Sequence, residues 1–171
     1  MQTAIRCAAR ASRLPALRAS RSPLQILPRV APTTSRLNLT INRSMSLSFV
    51  STTDAPAAVG PYNQGVKVGD LLFVSGSLGI NPATGKMVEG GLEAQTEQAL
   101  KNMKTIIEVG GGSISKVVKT TVFLADMNDF QTMNGIYAKF FEGHKPARSA
   151  VQVARLPLDA RFEIECIVSL A

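Results

Sequence analysis

Arg148, in the stretch P-A-R-S at 146–149, and the acids of E-I-E at 163–165 are the residue types with the clearest chemical use in this chain. A guanidinium offers a planar fork of N–H donors that matches a carboxylate through two parallel, charge-assisted bonds. A glutamate set beside such a bound acid can orient a water molecule and exchange a proton with it. Three further groups are left over: Gly60-Pro61-Tyr62, the run F-V-S-G at 73–76 with Ser75 and Gly76, and Asn134 in a helical stretch. The familiar alternatives drop out, because the sequence carries no GxSxG elbow, P-loop, GxGxxG fingerprint or Ser-His-Asp arrangement. His144 is the single histidine and has no Cys or carboxylate cluster at ligand spacing, which argues against a zinc site.

The distribution of charge limits the partners. The formal charge is +7, yet residues 1–53 hold eight arginines, no lysine and no acid. The other eleven Lys and Arg residues face all 12 acids beyond that point, a net −1. A folded part of that balance does not match a phosphate backbone, which calls for clustered cations, so nucleic acid is disfavoured as a partner. An Arg- and Ser-rich, acid-free N-terminus is instead the composition of an organelle leader. Residues 1–45 are therefore expected to be a mitochondrial transit peptide and disordered leader, delivering the protein to the matrix. Cleavage is expected near Arg43 and Ser44, and Met45 is a possible internal start. A domain follows at 46–171. Cys7 lies in the leader, so Cys166 remains as one thiol without an intrachain partner. No run approaches the roughly 18 apolar residues that a membrane span needs.

The elements that must position these residues follow from periodicity. Val66–Val68 and Leu71–Ser75, divided by Gly69 and Asp70, predict a tight hairpin. N-P-A-T-G at 81–85 is turn chemistry. Apolar residues at 92, 99, 100, 103, 106 and 107 predict a helix over 92–109, ended by Gly110–Gly112. Val117–Leu124 predicts a central strand with Val118, Thr120, Val122 and Leu124 on one face. Asp126–Asp129 opens a second helix bearing Phe130, Met133, Tyr137, Phe140 and Phe141. Strands at 147–153 and 161–170 close the chain, joined through Pro157, with Phe162, Ile164, Cys166 and Val168 alternating against Glu163 and Glu165. The order β-β-α-β-α-β-β implies a single α+β domain, a mixed sheet with two helices packed on one face.

Two helices cover only one side, so the second face must meet water or another subunit. Alternation places Arg148, Ala150 and Gln152 on that open face together with Glu163 and Glu165. If their strands are neighbours, the arginine and glutamates form one charged pocket.

From Ala55 to Ala171 the chain resembles the RidA (YjgF) family of enamine/imine deaminases. The motifs that carry the resemblance are A-P-A-A-V-G-P-Y-N-Q-G, L-F-V-S-G, V-K-T-T-V-F-L-A-D-M-N-D-F and P-A-R-S-A-V-Q-V-A-R-L-P-L-D-A-R-F-E-I-E, in that order. The resemblance implies a chorismate-mutase-like fold, a homotrimer with sites between subunits, and hydrolysis of 2-imino acids such as 2-aminoacrylate and 2-iminobutyrate to 2-keto acids, with no cofactor and no metal. It also implies a functional link to threonine dehydratase and other pyridoxal-phosphate enzymes that release those imines. Carried over by position, Arg148 is the carboxylate-binding arginine and Glu163 the water-positioning glutamate. Tyr62, Ser75, Gly76 and Asn134 line the pocket. Ala150 stands where part of the family has cysteine, which excludes a thiol mechanism there and leaves its backbone N–H as a donor. A ribonuclease or translation-inhibitor role and a non-enzymatic carboxylate-binding or chaperone trimer are the competing readings.

Overall fold

The computed structural model describes residues 46–171. The expected leader, 1–45, lies outside the described residues. Six strands form one mixed sheet in the order β1-β2-β3-β6-β4-β5. They are β1 (Leu47–Val50), β2 (Gly65–Val68), β3 (Leu71–Leu78), β4 (Val117–Leu124), β5 (Ala147–Gln152) and β6 (Phe162–Ser169). Helices α1 (Gly91–Val109) and α2 (Phe130–Phe141) pack on one face of the sheet, α1 over β3 and β6 and α2 beside α1.

The hairpin, both helices, the central strand and the alternating last strand match their sequence signals. Gly69 takes φ 55 in the two-residue turn that pairs Val68 with Leu71. Asn81 Oδ1 accepts from Ala83 N–H at 2.9 Å, and Gly85 sits at φ 68, so the 81–85 segment turns as its residues dictate. The second helix is preceded by a 3-10 turn (Met127–Asp129), capped by Asp126 Oδ1 accepting from Asn128 N–H at 2.9 Å.

The core lies between sheet and helices. Leu72, Val74, Val122, Leu124, Phe162, Ile164 and Val168 from the strands meet Leu100, Met103, Ile107 and Met133 from the helices. Replacing Leu100 by alanine in such a core would cost about 2–5 kcal/mol.

Three features depart from the sequence expectation. First, β1 is an additional strand; its Leu47 and Phe49 stand exposed and only Val50 is buried, so it carries no amphipathic signal. Secondly, Val117 rather than Val118 enters the core. The register slips between Val117 and Lys119 against β6, and this bulge reverses the phase of the pleat at the start of β4. Thirdly, β5 does not neighbour β6. It pairs in parallel with β4, Arg148 opposite Thr120 and Ala150 opposite Val122. Because β4 turns Thr120 and Val122 to the helices, Arg148 and Ala150 lie on the helix side. Glu163 and Glu165 pair with Phe123 and Thr121 and lie on the other side. The single-face placement of Arg148 with the glutamates is thus corrected. Alternation fixes which residues share a face within one strand, and pairing alone relates one strand's faces to another's.

Candidate active site

The side chains singled out from sequence divide into two clusters. The first surrounds Glu163. Strand β2 begins at Gly65, opposite Val74, so beyond that point β3 meets the non-strand segment before Gly65, which Ser75 contacts at Asn63 and Gln64. A cavity of about 500 Å³ opens there, lined by Tyr62, Ser75, Gly76 and Glu163, with Asn102 and Ile106 of α1 contributing further wall. Gly76 makes the arrangement possible: a Cβ at this position would collide with Glu163 Oε1. The carboxylate therefore lies against bare backbone, a role for glycine in a strand that needs space and no unusual φ. Glu163 is half-buried, and burial first, then the nearby charge of Glu165, raises its pKa above the ordinary carboxylate value. Both causes disfavour the ionised form.

The other members of this cluster are held by polar contacts within the protomer. Ser75 Oγ donates to Asn63 O at 2.6 Å, and Ser75 N–H donates to Gln64 O at 3.0 Å. The hydroxyl proton of Ser75 is thereby committed to the backbone, leaving its oxygen as an acceptor. Tyr62 is 47% exposed beside the cavity, with Val59 N–H directed at its Oη at 3.4 Å. Gln64 is a residue that the sequence did not single out. It is buried, its Oε1 accepts from Thr52 N–H at 2.7 Å, and its Nε2 donates to Pro56 O at 2.8 Å and Thr52 O at 3.0 Å. One amide thus pins the segment that forms a cavity wall. Its signal was present as the polar residue closing P-Y-N-Q-G, but only burial distinguishes it from a loop glutamine. Asn102 has a parallel role on α1, with Nδ2 donating to Leu78 O at 2.9 Å and Ile80 O at 2.8 Å.

The second cluster surrounds Arg148 on the edge strand β5. A recess of about 390 Å³ is lined by Arg148, Asn134, Tyr137 and His144. The guanidinium carbon lies 4.5 Å from the centroid of Tyr137 and 5.6 Å from that of Phe130. Among the described residues Arg148 makes no ion pair with a carboxylate. Its N–H fork therefore remains available to an incoming anion. His144 Nε2 lies 2.7 Å from Val117 O, which requires the proton on Nε2 and ties the loop before β5 to β4. Ala150, half-buried two residues on, packs against the core. Cys166 points into the core, and burial, assisted by Glu165, pushes its thiol up to about 12. No thiolate is available from it at neutral pH.

Within one protomer, then, Tyr62, Ser75, Gly76 and Glu163 come together, Arg148 and Asn134 come together, and the two sets lie on opposite sides of the sheet. Among the described residues no three His, Cys, Asp or Glu side chains converge as a metal would need, and no helix is long and apolar enough to cross a membrane.

The chain is similar to proteins of known family. The family model described as Endoribonuclease L-PSP matches residues 52–170. The chain is 55% identical over 127 residues to Reactive Intermediate Deaminase A, chloroplastic, of Arabidopsis thaliana, covering 74% of this chain and 68% of that one. It is 52% identical over 124 residues to the 2-iminobutanoate/2-iminopropanoate deaminase of Mus musculus, covering 72% and 92%. Among solved structures, E. coli TdcF with bound serine superposes with a TM-score of 0.70 at 42% identity, covering 72% of this chain and 99% of that one. Sheet, helices and matched length agree, and the chain belongs to the RidA (YjgF) family, whose model bears the description Endoribonuclease L-PSP.

Proposed function

We propose that this protein hydrolyses 2-imino acids, 2-iminobutanoate and 2-iminopropanoate among them, to 2-keto acids and ammonia, at a site completed between two copies of the chain. The observation that carries the proposal is the pair of half-sites. An arginine with no carboxylate partner among the described residues and a glutamate with a raised pKa lie on opposite sides of one sheet, each lining its own recess. The curated relatives named as imine deaminases, and the TdcF structure with bound serine, an amino acid that bears a carboxylate, support the choice of ligand.

The chemistry follows from those groups. Arg148 of one copy takes the substrate carboxylate in a bidentate bond, which fixes the C=N carbon relative to the neighbouring copy. Glu163 of that neighbour accepts a proton from water as the water oxygen bonds to that carbon. The same proton then passes to nitrogen, giving an amino alcohol; Glu163 next carries the proton of the new hydroxyl to that nitrogen, the C–N bond breaks, and ammonia leaves as the keto group forms. Water and imine are consumed, keto acid and ammonia appear, and no electrons are exchanged, so the step needs no redox cofactor. Tyr62, the acceptor oxygen of Ser75, Asn134 and the Ala150 N–H complete the lining. Gly76 lets Glu163 reach it.

A homotrimer is the assembly we propose. The sheet face away from the helices carries Phe49, Leu71, Phe73 and Val151, all exposed in the single chain, and such a face calls for burial by copies of itself. Residues 1–45 act as a mitochondrial leader and 46–171 as the working domain in the matrix, where imines released by threonine dehydratase and related pyridoxal-phosphate enzymes arise. A ribonuclease role, which the family description suggests, is opposed by the net −1 beyond residue 53.

The test is complementation between subunits. Arg148→Ala and Glu163→Gln proteins are each expected to lose activity in a keto-acid release assay driven by threonine dehydratase. Unfolded and refolded together at equal amounts, they should regain about a quarter of the wild-type rate, the fraction of interfaces in a random trimer that receive both intact groups. Recovery to that level supports the shared site. Mixed trimers as inactive as their parents would rule it out, and a wild-type protein that releases no keto acid would end the enzymatic reading.

A further inference from the structure

Arg148 projects from a strand at the margin of the sheet, where a long, flexible side chain has few neighbours to fix it. Proteins commonly hold such an arginine with an aspartate or glutamate, but that partner would compete with a carboxylate substrate for the same fork. Here the holding surface is aromatic. Tyr137 sits one helical face above Thr120, and its hydroxyl shares a buried 2.9 Å hydrogen bond with Thr120 Oγ1. Its flank packs against Phe141, ring centroids 4.4 Å apart and tilted 36°. With both its hydroxyl end and one flank fixed, the ring presents its remaining surface to the guanidinium at 4.5 Å. Phe130, seven residues earlier on α2 and so on the same side of the helix, adds a second ring at 5.6 Å.

We infer that Tyr137 is a positioning residue for Arg148, a clamped ring that orients the guanidinium by cation–π contact while leaving its N–H donors free for the substrate carboxylate. The chain of contact runs from Thr120 in the core strand, through the Tyr137 hydroxyl and ring, to Arg148 at the margin. Each link is suited to its task. The ring attracts the cation through its face and offers no lone pair in the plane of the fork. The Thr120 bond is buried, so the ring has one preferred height above the sheet. Burial raises the pKa of Tyr137, and the Thr120 bond and then the charge of Arg148 act against that rise.

The inference rests on Arg148 being the carboxylate anchor, and it is tested without turnover. The dissociation constant of 2-ketobutyrate, a 2-keto acid, is measured by calorimetry on the assembled protein and on three variants, beside the KM and kcat for imine. Tyr137→Phe keeps the ring but loses the Thr120 clamp and should weaken affinity about threefold, whereas Tyr137→Leu, which removes both, should weaken it about tenfold and raise KM in step, with kcat changing far less. Phe130→Leu, which removes the more distant ring, should weaken binding about threefold. A Tyr137→Leu protein that melts earlier yet binds the keto acid as tightly as wild type would overturn the inference by reducing Tyr137 to packing. Should that variant not fold, Phe130→Leu decides, unchanged affinity counting against the aromatic platform. Wild-type protein that binds the keto acid but hydrolyses no imine would sink the proposed reaction and leave this inference standing.

Discussion

The two clusters proposed as half-sites are built by different means. Around Glu163 the work is done by backbone and amides: Gln64 pins residues 52–56, Ser75 is tied to Asn63, Asn102 holds the end of β3, and Gly76 leaves room for the carboxylate. Around Arg148 the hydrogen bonds stop one layer back, at Tyr137–Thr120 and His144–Val117. The arginine stands on an edge strand and leans on two rings of α2. The contrast suits the two tasks proposed for these groups. A glutamate that must hand a proton to and from one water needs placement to a fraction of an ångström and partial removal from solvent. An arginine that grips a carboxylate needs its donors unspent and tolerates a softer mount, because the bidentate fork finds its own geometry.

Short of replacing Glu163 itself, the most damaging single change on the rigid side should be Gly76→Ala. The added methyl would occupy the place of Glu163 Oε1, so the carboxylate must swing away while the fold, which has ordinary backbone angles at this position, stays intact. A fall in kcat on the order of 10²-fold is expected, part of the roughly 10²–10⁴-fold that a positioned acid/base group supplies. Keto-acid affinity, set at Arg148, should barely move. If affinity fell with kcat, the two halves would not be separable and the comparison would fail.

A smaller effect should appear in pH dependence. Glu163 must be ionised to take a proton from water, so activity should fall as pH drops through its raised pKa. Glu165→Gln removes the lesser of the two causes of that rise, and the acid limb should shift to lower pH without vanishing. Stability supplies an independent check on the sign. A carboxyl whose folded pKa is raised binds more protons folded than unfolded between its ordinary and raised values, so it lowers stability as pH climbs through that window. Glu163→Gln should therefore be the more stable protein above the window and no more stable than wild type below it, as followed by thermal melts across pH. An acid limb that Glu165→Gln leaves in place would assign the whole rise to burial.

Much of this architecture was legible in the sequence, and the parts that were not share one physical cause. The helix over 91–109, the turn at Gly69-Asp70 and the alternation of Phe162, Ile164, Cys166 and Val168 are local patterns, and local patterns state themselves. Strand β1 has a single buried residue and so no pattern to read. The bulge at Val117–Val118 depends on a partner strand far along the chain. The placement of Arg148 failed for the same reason: its own strand alternates as expected, but the parallel pairing with β4, and β6 lying between β3 and β4, are decided by long-range packing. Family motifs supplied Arg148, Glu163, Tyr62, Ser75, Gly76 and Asn134 as a set, and pairing then divided that set in two. Gln64 lay inside a recognised motif, yet its task is visible only as four contacts to a segment 8–12 residues earlier.

The smallest expected effect concerns the position where the softer half-site differs from part of its family. Ala150 offers no sulfur, and Cys166, the one cysteine among the described residues, is buried in the core with its thiol pushed up to about 12. Alkylating reagents act on thiolates, so treatment of the native protein at neutral pH should leave imine hydrolysis unchanged, with mass spectrometry showing Cys166 unmodified until denaturant is added. Ala150→Cys should then introduce sensitivity at the Arg148 half alone: labelling should weaken keto-acid binding and leave the acid limb of Glu163 where it was. Loss of activity in the unsubstituted protein on alkylation would mean that Cys166 becomes exposed in solution. The core strand beneath Tyr137, where Cys166 pairs with Thr120, would then be what opens, on the Arg148 side of the sheet.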